Sequence, residues 1–253
     1  MGTTVVDICR YPVKGLSAES LERVSVAPGE GLPHDRRFAL AHGSTKFDPR
    51  NPQWLPKSNF LMLMRDEKLA QLRTRFEPDS GMLTIERGGK QVVRAKATEQ
   101  IGRTVIGQFF ASFMAGAARG TPRLVESPGH MFSDVPEKCL SIINLASVRD
   151  LERVMRRPVH PLRFRANIYV EGLPAWAEFG WTGQDISLGT ARLRVMKRID
   201  RCGATNVDPE TAVRDLNVPL ALQNGFSHVD MGVYAAVTEA GEVSKGAALT
   251  PPG

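Results

Sequence analysis

The amino-acid sequence predicts a mainly β fold with interspersed helices, an α+β class built on antiparallel sheets or barrels. Three observations lead there. Short runs of β-branched or alternating residues recur along most of the chain, and turn-rich segments such as APGEG, EPDSG and RGGK separate them. The runs are also too short and too closely spaced for repeated βαβ units, which argues against a Rossmann-type fold.

In the first half, strands are expected over residues 3–8, 21–26, 37–41, 72–76, 82–85 and 91–95. Gly88-Gly89 marks a hairpin between the last two. Residues 59–72 place Leu61, Met64, Leu69 and Leu72 near helical spacing, which predicts a helix, and residues 103–118 predict a second. The clearest helix covers 144–155, where Leu145, Val148, Leu151, Val154 and Met155 form one apolar face and Asn144 or Ser147 can cap the start. Strands return over 123–125, 167–170, 185–188, 191–196 and 232–238. Between the last two lies RCGATNVDPETAVRDLNVPLAL, a connection rich in turn formers that reads as a functional loop with short helical turns. A composition shift at Gly120-Thr121-Pro122 divides the chain into domains of 1–120 and 121–253.

With 253 residues, 42% hydrophobic and 24% charged, the chain has the make-up of a globular protein and not of a disordered or collagenous one. Cys9, Cys139 and Cys202 are too few and too far apart for a disulfide framework or a CxxC zinc site, which points to a reducing compartment. The N-terminus lacks a basic leader with an apolar run, and the longest candidate span, 105–118, is shorter than the ~20 residues a bilayer requires. The expectation is a cytoplasmic protein with no membrane contact. A net charge of +6 favours anionic partners, or is simply solvated surface charge. With 7% aromatic residues and no Lys/Arg-rich run, no nucleic-acid partner is expected.

Phosphate-loop, dinucleotide, zinc-protease and serine-hydrolase signatures are absent, and the five histidines are scattered singly. What remains is basic residues beside turn formers, and one cysteine in a polar loop. Lys14 lies in RYPVKGL, where Pro12 stiffens the approach and Gly15 admits a close ligand. Arg36 and Arg37 lie in HDRRF, and Arg163 and Arg165 in RFRANI, where alternation would put the last two on one side of a strand. Guanidiniums facing one way need an anion between them or salt bridges to Asp35, Glu171 or Glu178; the sequence leaves both open. Cys202 lies beside Arg201 in RCGATNVDP, where a cation-stabilised thiolate could serve as nucleophile or soft-metal ligand. Cys139, in the apolar run CLSIINL, and Cys9, inside an expected strand, read as structural.

RYPVKGL, DRRFAL, RFRANIYV with PAWAE and Trp181-Thr182-Gly183, RCGATNVDP and the closing GVYAAV occur in one order along nearly the whole chain. The set resembles the MOSC family, the molybdenum-cofactor sulfurase C-terminal domain, preceded by its N-terminal β-barrel domain. It is most similar to the branch of the mitochondrial amidoxime-reducing component and its bacterial relatives. The resemblance implies a β-barrel MOSC domain packed against a β-barrel-like domain, with a molybdenum–pterin cofactor between them. By that resemblance Cys202 would ligate molybdenum. Lys14, Arg36 or Arg37, Arg163 and Arg165 would hold the pterin phosphate, with Asn144 and Ser147 at a helix N-terminus lining the site. Thr205, Asn206 and Asp208 would contact the pterin or lie near the metal, Asp208 as a possible proton relay; for Asn206 and Asp208, turn capping before Pro209 is the alternative. The implied reaction removes oxygen from a small N-hydroxylated substrate, an amidoxime or hydroxylamine. The cysteines lack the spacing of an iron–sulfur cluster, so electrons would come from a separate ferredoxin, flavin or b5-type protein. Two alternatives are a cofactor or sulfur carrier using the same cysteine, and a basic nucleic-acid-binding barrel.

Overall fold

The computed structural model describes residues 2–252 apart from Pro128. The first alternating run forms β1 (Thr4–Arg10), with Val5 and Ile8 buried in one core cluster and Cys9 in another. The expected strand over 21–26 divides at Glu22, because its two ends have different neighbours: β2 (Glu19–Leu21) pairs with β1, and β3 (Arg23–Val26) turns away. Strand β4 (Phe38–Ala41), buried at every position, lies in the first-half core. The segment after it departs from the expectation.

No helix covers 59–72. Its Leu and Met spacing imitates one, but Phe60, Leu61, Met62 and Leu63 are all buried, and four successive residues cannot share one helical face. The chain instead runs extended along β4, with Leu61 N–H donating to Leu40 O at 2.8 Å. Only single 3₁₀ turns form, at Lys57–Asn59 and Glu67–Gln71.

Strands β5 (Leu72–Glu77), β6 (Met82–Arg87) and β7 (Lys90–Lys96) make an antiparallel meander. Its β6–β7 turn is Gly88-Gly89, with φ of 57° and 74°, the two positive values a tight hairpin of this kind needs. Helix α1 (Gln100–Phe113) begins three residues before the expected start and lays Ile106 and Phe110 on this half's core, with Phe38, Leu40, Leu69 and Ile85. Strand β8 (Arg123–Glu126) returns to pair with β4.

The apolar run at 140–144 is a strand, β9 (Leu140–Asn144), and leads directly into α2 (Leu145–Met155). Asn144 caps that helix, accepting from Ala146 N–H at 3.0 Å. Strand β10 (Ile168–Glu171) then lies parallel to β9, a single crossover in a sheet that is otherwise antiparallel. Strands β11 (Asp185–Leu188) and β12 (Ala191–Asp200), helix α3 (Val218–Phe226), and strands β13 (Asp230–Glu239), β14 (Gly241–Ser244) and β15 (Leu249–Thr250) complete the chain. The principal sheet has the order β15-β11-β12-β13-β9-β10-β1-β2, so the first strands of the chain join the sheet of the second half. β14 pairs with β3. Its curled inner face buries Ile8, Leu140, Ile142, Ile168, Leu193, Val233 and Ala235, while α2 and α3 cover Leu151, Tyr169, Leu222 and Met231 on the other side. No helix among the described residues is long and apolar enough to cross a membrane.

Candidate functional site

An open cleft of about 1160 Å³, solvent mouth included, is lined by Lys14, Arg36, Lys57, Met62 and Met64 from the first half and by Asp134, Arg165, Arg201, Cys202 and Tyr234 from the second. Lys14 is carried in by the Pro12 segment, whose backbone binds alongside β4 through Lys14 N–H to Phe38 O at 2.8 Å. Gly15 then adopts φ +84°, with Leu61 O 3.4 Å from where a Cβ would stand. The Lys14 ammonium is buried, donates to Phe132 O at 3.1 Å and pairs with the half-exposed Asp134. Burial pulls the Lys14 pKa down, and Asp134 only partly restores it.

Arg36 and Arg165 both hold left-handed backbone, φ 47° and 51°. Their guanidiniums lie 4.7 and 4.5 Å from the centroid of the same Tyr11 ring. Arg36 pairs with the buried Asp35 and donates to Arg165 O at 2.8 Å. Among the described residues the Arg165 guanidinium has no carboxylate partner, and burial, with Arg36 nearby, lowers its pKa. That side chain is a cation facing the cleft without a counter-ion.

Cys202 is half-buried and caps the 3₁₀ turn Gly203–Asn206, its carbonyl accepting from Thr205 N–H at 3.1 Å and Thr205 Oγ1 at 2.9 Å. Arg201 beside it donates to Phe164 O at 2.8 Å and Met231 O at 2.9 Å, which turns the cysteine into the cleft from the end of β12. Lys57 approaches the thiol from the first half. Burial lowers the Lys57 pKa, but the Cys202 sulfur and Asp134 outweigh that and hold it above its usual range. Cys139, expected as structural, is buried but also forms part of the cleft wall, where burial pushes its thiol up to about 12.

Of the residues singled out from sequence, Lys14, Arg36, Arg163, Arg165, Cys202 and Thr205 line the cleft. Arg163 and Arg165 do not share one side of a strand: Arg163 lies within the 3₁₀ turn Pro161–Phe164 and Arg165 is its left-handed cap, so the alternation of a strand does not apply to them. Arg163 is nearly fully buried and pairs with Asp208 at 2.8 Å and Asp215 at 2.7 Å, partners other than the acids considered from sequence. Asp208 serves the loop, accepting from Glu210 N–H at 2.9 Å and Thr211 N–H at 2.8 Å. Asn206 accepts from Val218 N–H at 2.9 Å, at the start of α3. Arg37 turns away from the cleft to Glu126, 2.6 Å. Asn144 and Ser147 also lie outside the cleft and donate to the fully buried Glu178 at 3.0 and 2.9 Å. Sequence reasoning missed Lys57 and Asp134, which no local pattern marks because the cleft assembles them from distant segments, and it left Tyr11 without a role although it stands in RYPVKGL.

Among the described residues, no group of three or more His, Cys, Asp or Glu is placed to hold a metal ion. Family models for the MOSC N-terminal beta barrel domain and the MOSC domain match residues 2–119 and 128–250, on either side of the cleft. The chain belongs to the MOSC family. This MOSC chain is 28% identical to a molybdenum cofactor sulfurase of Caenorhabditis briggsae over 91% of its own length and 33% of that protein. It is 30% identical to mitochondrial amidoxime-reducing component 1 of Mus musculus over 35% of this chain and 26% of that one. With component 2 of Homo sapiens the figures are 29%, 44% and 36%. The chain thus matches about a third of the length of these curated relatives. The YUAD protein from Bacillus subtilis aligns over 98% of this chain and 94% of its own at 12% identity and a TM-score of 0.44, too loose a likeness to carry an argument.

Proposed function

We propose that the cleft holds a molybdenum–pterin cofactor and that the loaded protein reduces N-hydroxylated compounds, amidoximes or hydroxylamines, with electrons from a separate ferredoxin, flavin or b5-type protein. The observation that carries the reading is one cleft with an accessible thiol, Cys202, and a guanidinium without a counter-ion, Arg165. A half-buried guanidinium with no salt-bridge partner is a ready site for an anion. The Arg163 Nε, buried and without a hydrogen-bond partner among the described residues, is a second donor left unused at the cleft wall. The donor set therefore fits a phosphorylated cofactor.

In this reading Arg165 and Arg36 would grip the phosphate with forked donors while the Tyr11 ring keeps the two guanidiniums in place. Lys14 would add positive potential at the cleft floor. Cys202 would bind the metal through its sulfur, with the Lys57 ammonium close by. When bound, the cofactor supplies two-electron, oxygen-accepting chemistry. Met62 and Met64 would present a polarizable apolar wall to the substrate. Asp208 faces loop amides and Arg163, which supports a part in holding the loop; full activity and full metal in Asp208→Asn would rule out a proton relay there.

The test is metal and pterin content of wild type and Cys202→Ala, purified from a molybdate-supplied host, followed by benzamidoxime reduction with an artificial electron donor. Near-stoichiometric metal in wild type, its loss in the variant, and turnover are expected. Absence of metal and pterin in both, even after reconstitution, would sink the proposal. The similarity to the sulfurase, which runs along most of this chain, favours one alternative, a carrier of the cofactor or of sulfur on Cys202. Bound cofactor without turnover would support it.

A further inference from the structure

We infer that Arg214 is a positioning residue, a latch that sets the Cys202 loop at a fixed distance from the opposite wall of the cleft; this rests on the reading that Cys202 is the working thiol. The loop after Cys202 is built to deliver this side chain. Asp208 N–H donates to Val213 O at 2.8 Å, Ala212 N–H donates to Asp208 O at 3.0 Å, and Ala212 takes φ 60°. This reverses the chain, so that Arg214 bridges back to Val207 and its side chain returns toward Gly203.

The guanidinium then joins two segments far apart in sequence. Nη1 donates to Gly203 O at 2.9 Å, next to Cys202, while Nη2 donates to Leu63 O at 2.9 Å and Met64 O at 2.6 Å. Nε donates to Glu67 at 3.2 Å. Leu63 and Met64 are part of the first-half wall of the cleft. Gly203 lies close against that wall, since a Cβ there would stand 3.6 Å from Met64 Cγ. The Cys202 carbonyl is satisfied within its own loop by Thr205, so Arg214 gives this loop a direct backbone tie across the cleft. A planar fork holds these carbonyls at fixed angles, whereas a lysine ammonium is a point donor on a flexible stem.

The ion pair itself contributes little, because the Arg214 and Glu67 side chains are 32% and 46% exposed. The latch therefore resides in the carbonyl contacts, and breaking it should loosen the loop without unfolding the chain.

The experiment measures iodoacetamide alkylation of Cys202 by mass spectrometry in the full, cofactor-free chain, with the buried Cys9 and Cys139 as internal controls. Arg214→Gln is expected to react about tenfold faster than wild type, the factor corresponding to a 1.4 kcal/mol change. Arg214→Lys should fall between them, Glu67→Gln should stay near wild type, and the control cysteines should remain unreactive. An unchanged Cys202 rate in Arg214→Gln overturns the latch, as does equal acceleration of all three cysteines, which would mean general loosening. If Arg214→Gln does not fold, Arg214→Lys decides by the same comparison. In loaded protein, Arg214→Gln should retain molybdenum but alter the Mo(V) paramagnetic resonance signal. Because the alkylation rate is read without metal, wild type devoid of molybdenum would defeat the proposed function and leave the latch standing.

Discussion

Replacing Arg163 by Met tests whether this cation holds the chain together instead of gripping a ligand. Its side chain is 2% exposed and donates to Asp208 at 2.8 Å and Asp215 at 2.7 Å, with weaker contacts to Asn206 O at 3.1 Å and Thr205 O at 3.4 Å. Removing one partner of a buried pair costs ~3–5 kcal/mol. Here the stranded carboxylates are 18% and 30% exposed and regain water, and the unpartnered Nε is no longer buried. Those two offsets bring the expected loss to about 2–3 kcal/mol. For a chain of this size that is a fall of roughly 5–10 °C in Tm. The acid dependence has a defined sign. Burial raises the Asp208 pKa, but the Thr211 and Glu210 amides and Arg163 outweigh it and hold the carboxyl below 3.8. A depressed carboxyl stabilises above its unfolded value and loses that contribution as pH falls through its folded value. The gap between wild type and Arg163→Met in urea denaturation should therefore be widest near neutrality and narrow below about pH 3.8. A neutral-pH difference under about 1 kcal/mol, too small for a buried pair, or a gap that does not narrow in acid would refute the reasoning.

Arg165→Gln should leave Tm near that of wild type, since it removes a half-buried cation that has no salt-bridge partner among the described residues, while abolishing most of the thermal stabilisation that pyrophosphate gives wild type; equal stabilisation of both would count against the anion site. Glu178 is fully buried, and burial raises its pKa despite hydrogen bonds from Asn144 and Ser147. Its ionisation costs stability as pH rises through that raised value, so the urea midpoint of Glu178→Gln should change less than that of wild type from pH 5 to 8, and parallel curves would contradict this. Gly232→Ala should lose ~1–3 kcal/mol, because φ is +76° and the new Cβ would press on Ile142 O across the β13–β9 pair; an unchanged Tm would show that the strand yields there.

Legibility along the sequence followed the range of the interaction involved. The β6–β7 hairpin and α2 came through because Gly88-Gly89, the apolar face from Leu145 to Met155 and the Asn144 cap act within a few residues. The stretch 59–72 misled because leucine spacing is blind to burial on both sides, which β4 and the first-half core impose on Phe60 to Leu63. Glu22 divides an apparent strand only because β1 and β14 lie in different directions. The resemblance implies Asn144 and Ser147 as lining residues, yet the partner of both is Glu178, some thirty residues on.

The sequence by itself determined the fold class, the family and the chemical inventory: a cysteine in a polar loop, and lysines and arginines beside prolines, glycines and turns. Those properties are local, or repeat with a period the chain carries in its own order. Only the tertiary structure decided which cations keep a free charge. Arg37 found Glu126, Arg163 found Asp208 and Asp215, Arg36 found Asp35, and Arg165 was left over Tyr11 in the cleft that Cys202 also lines. A counter-ion is a matter of distance in space, and the segments that supply or withhold it here come from both halves of the chain.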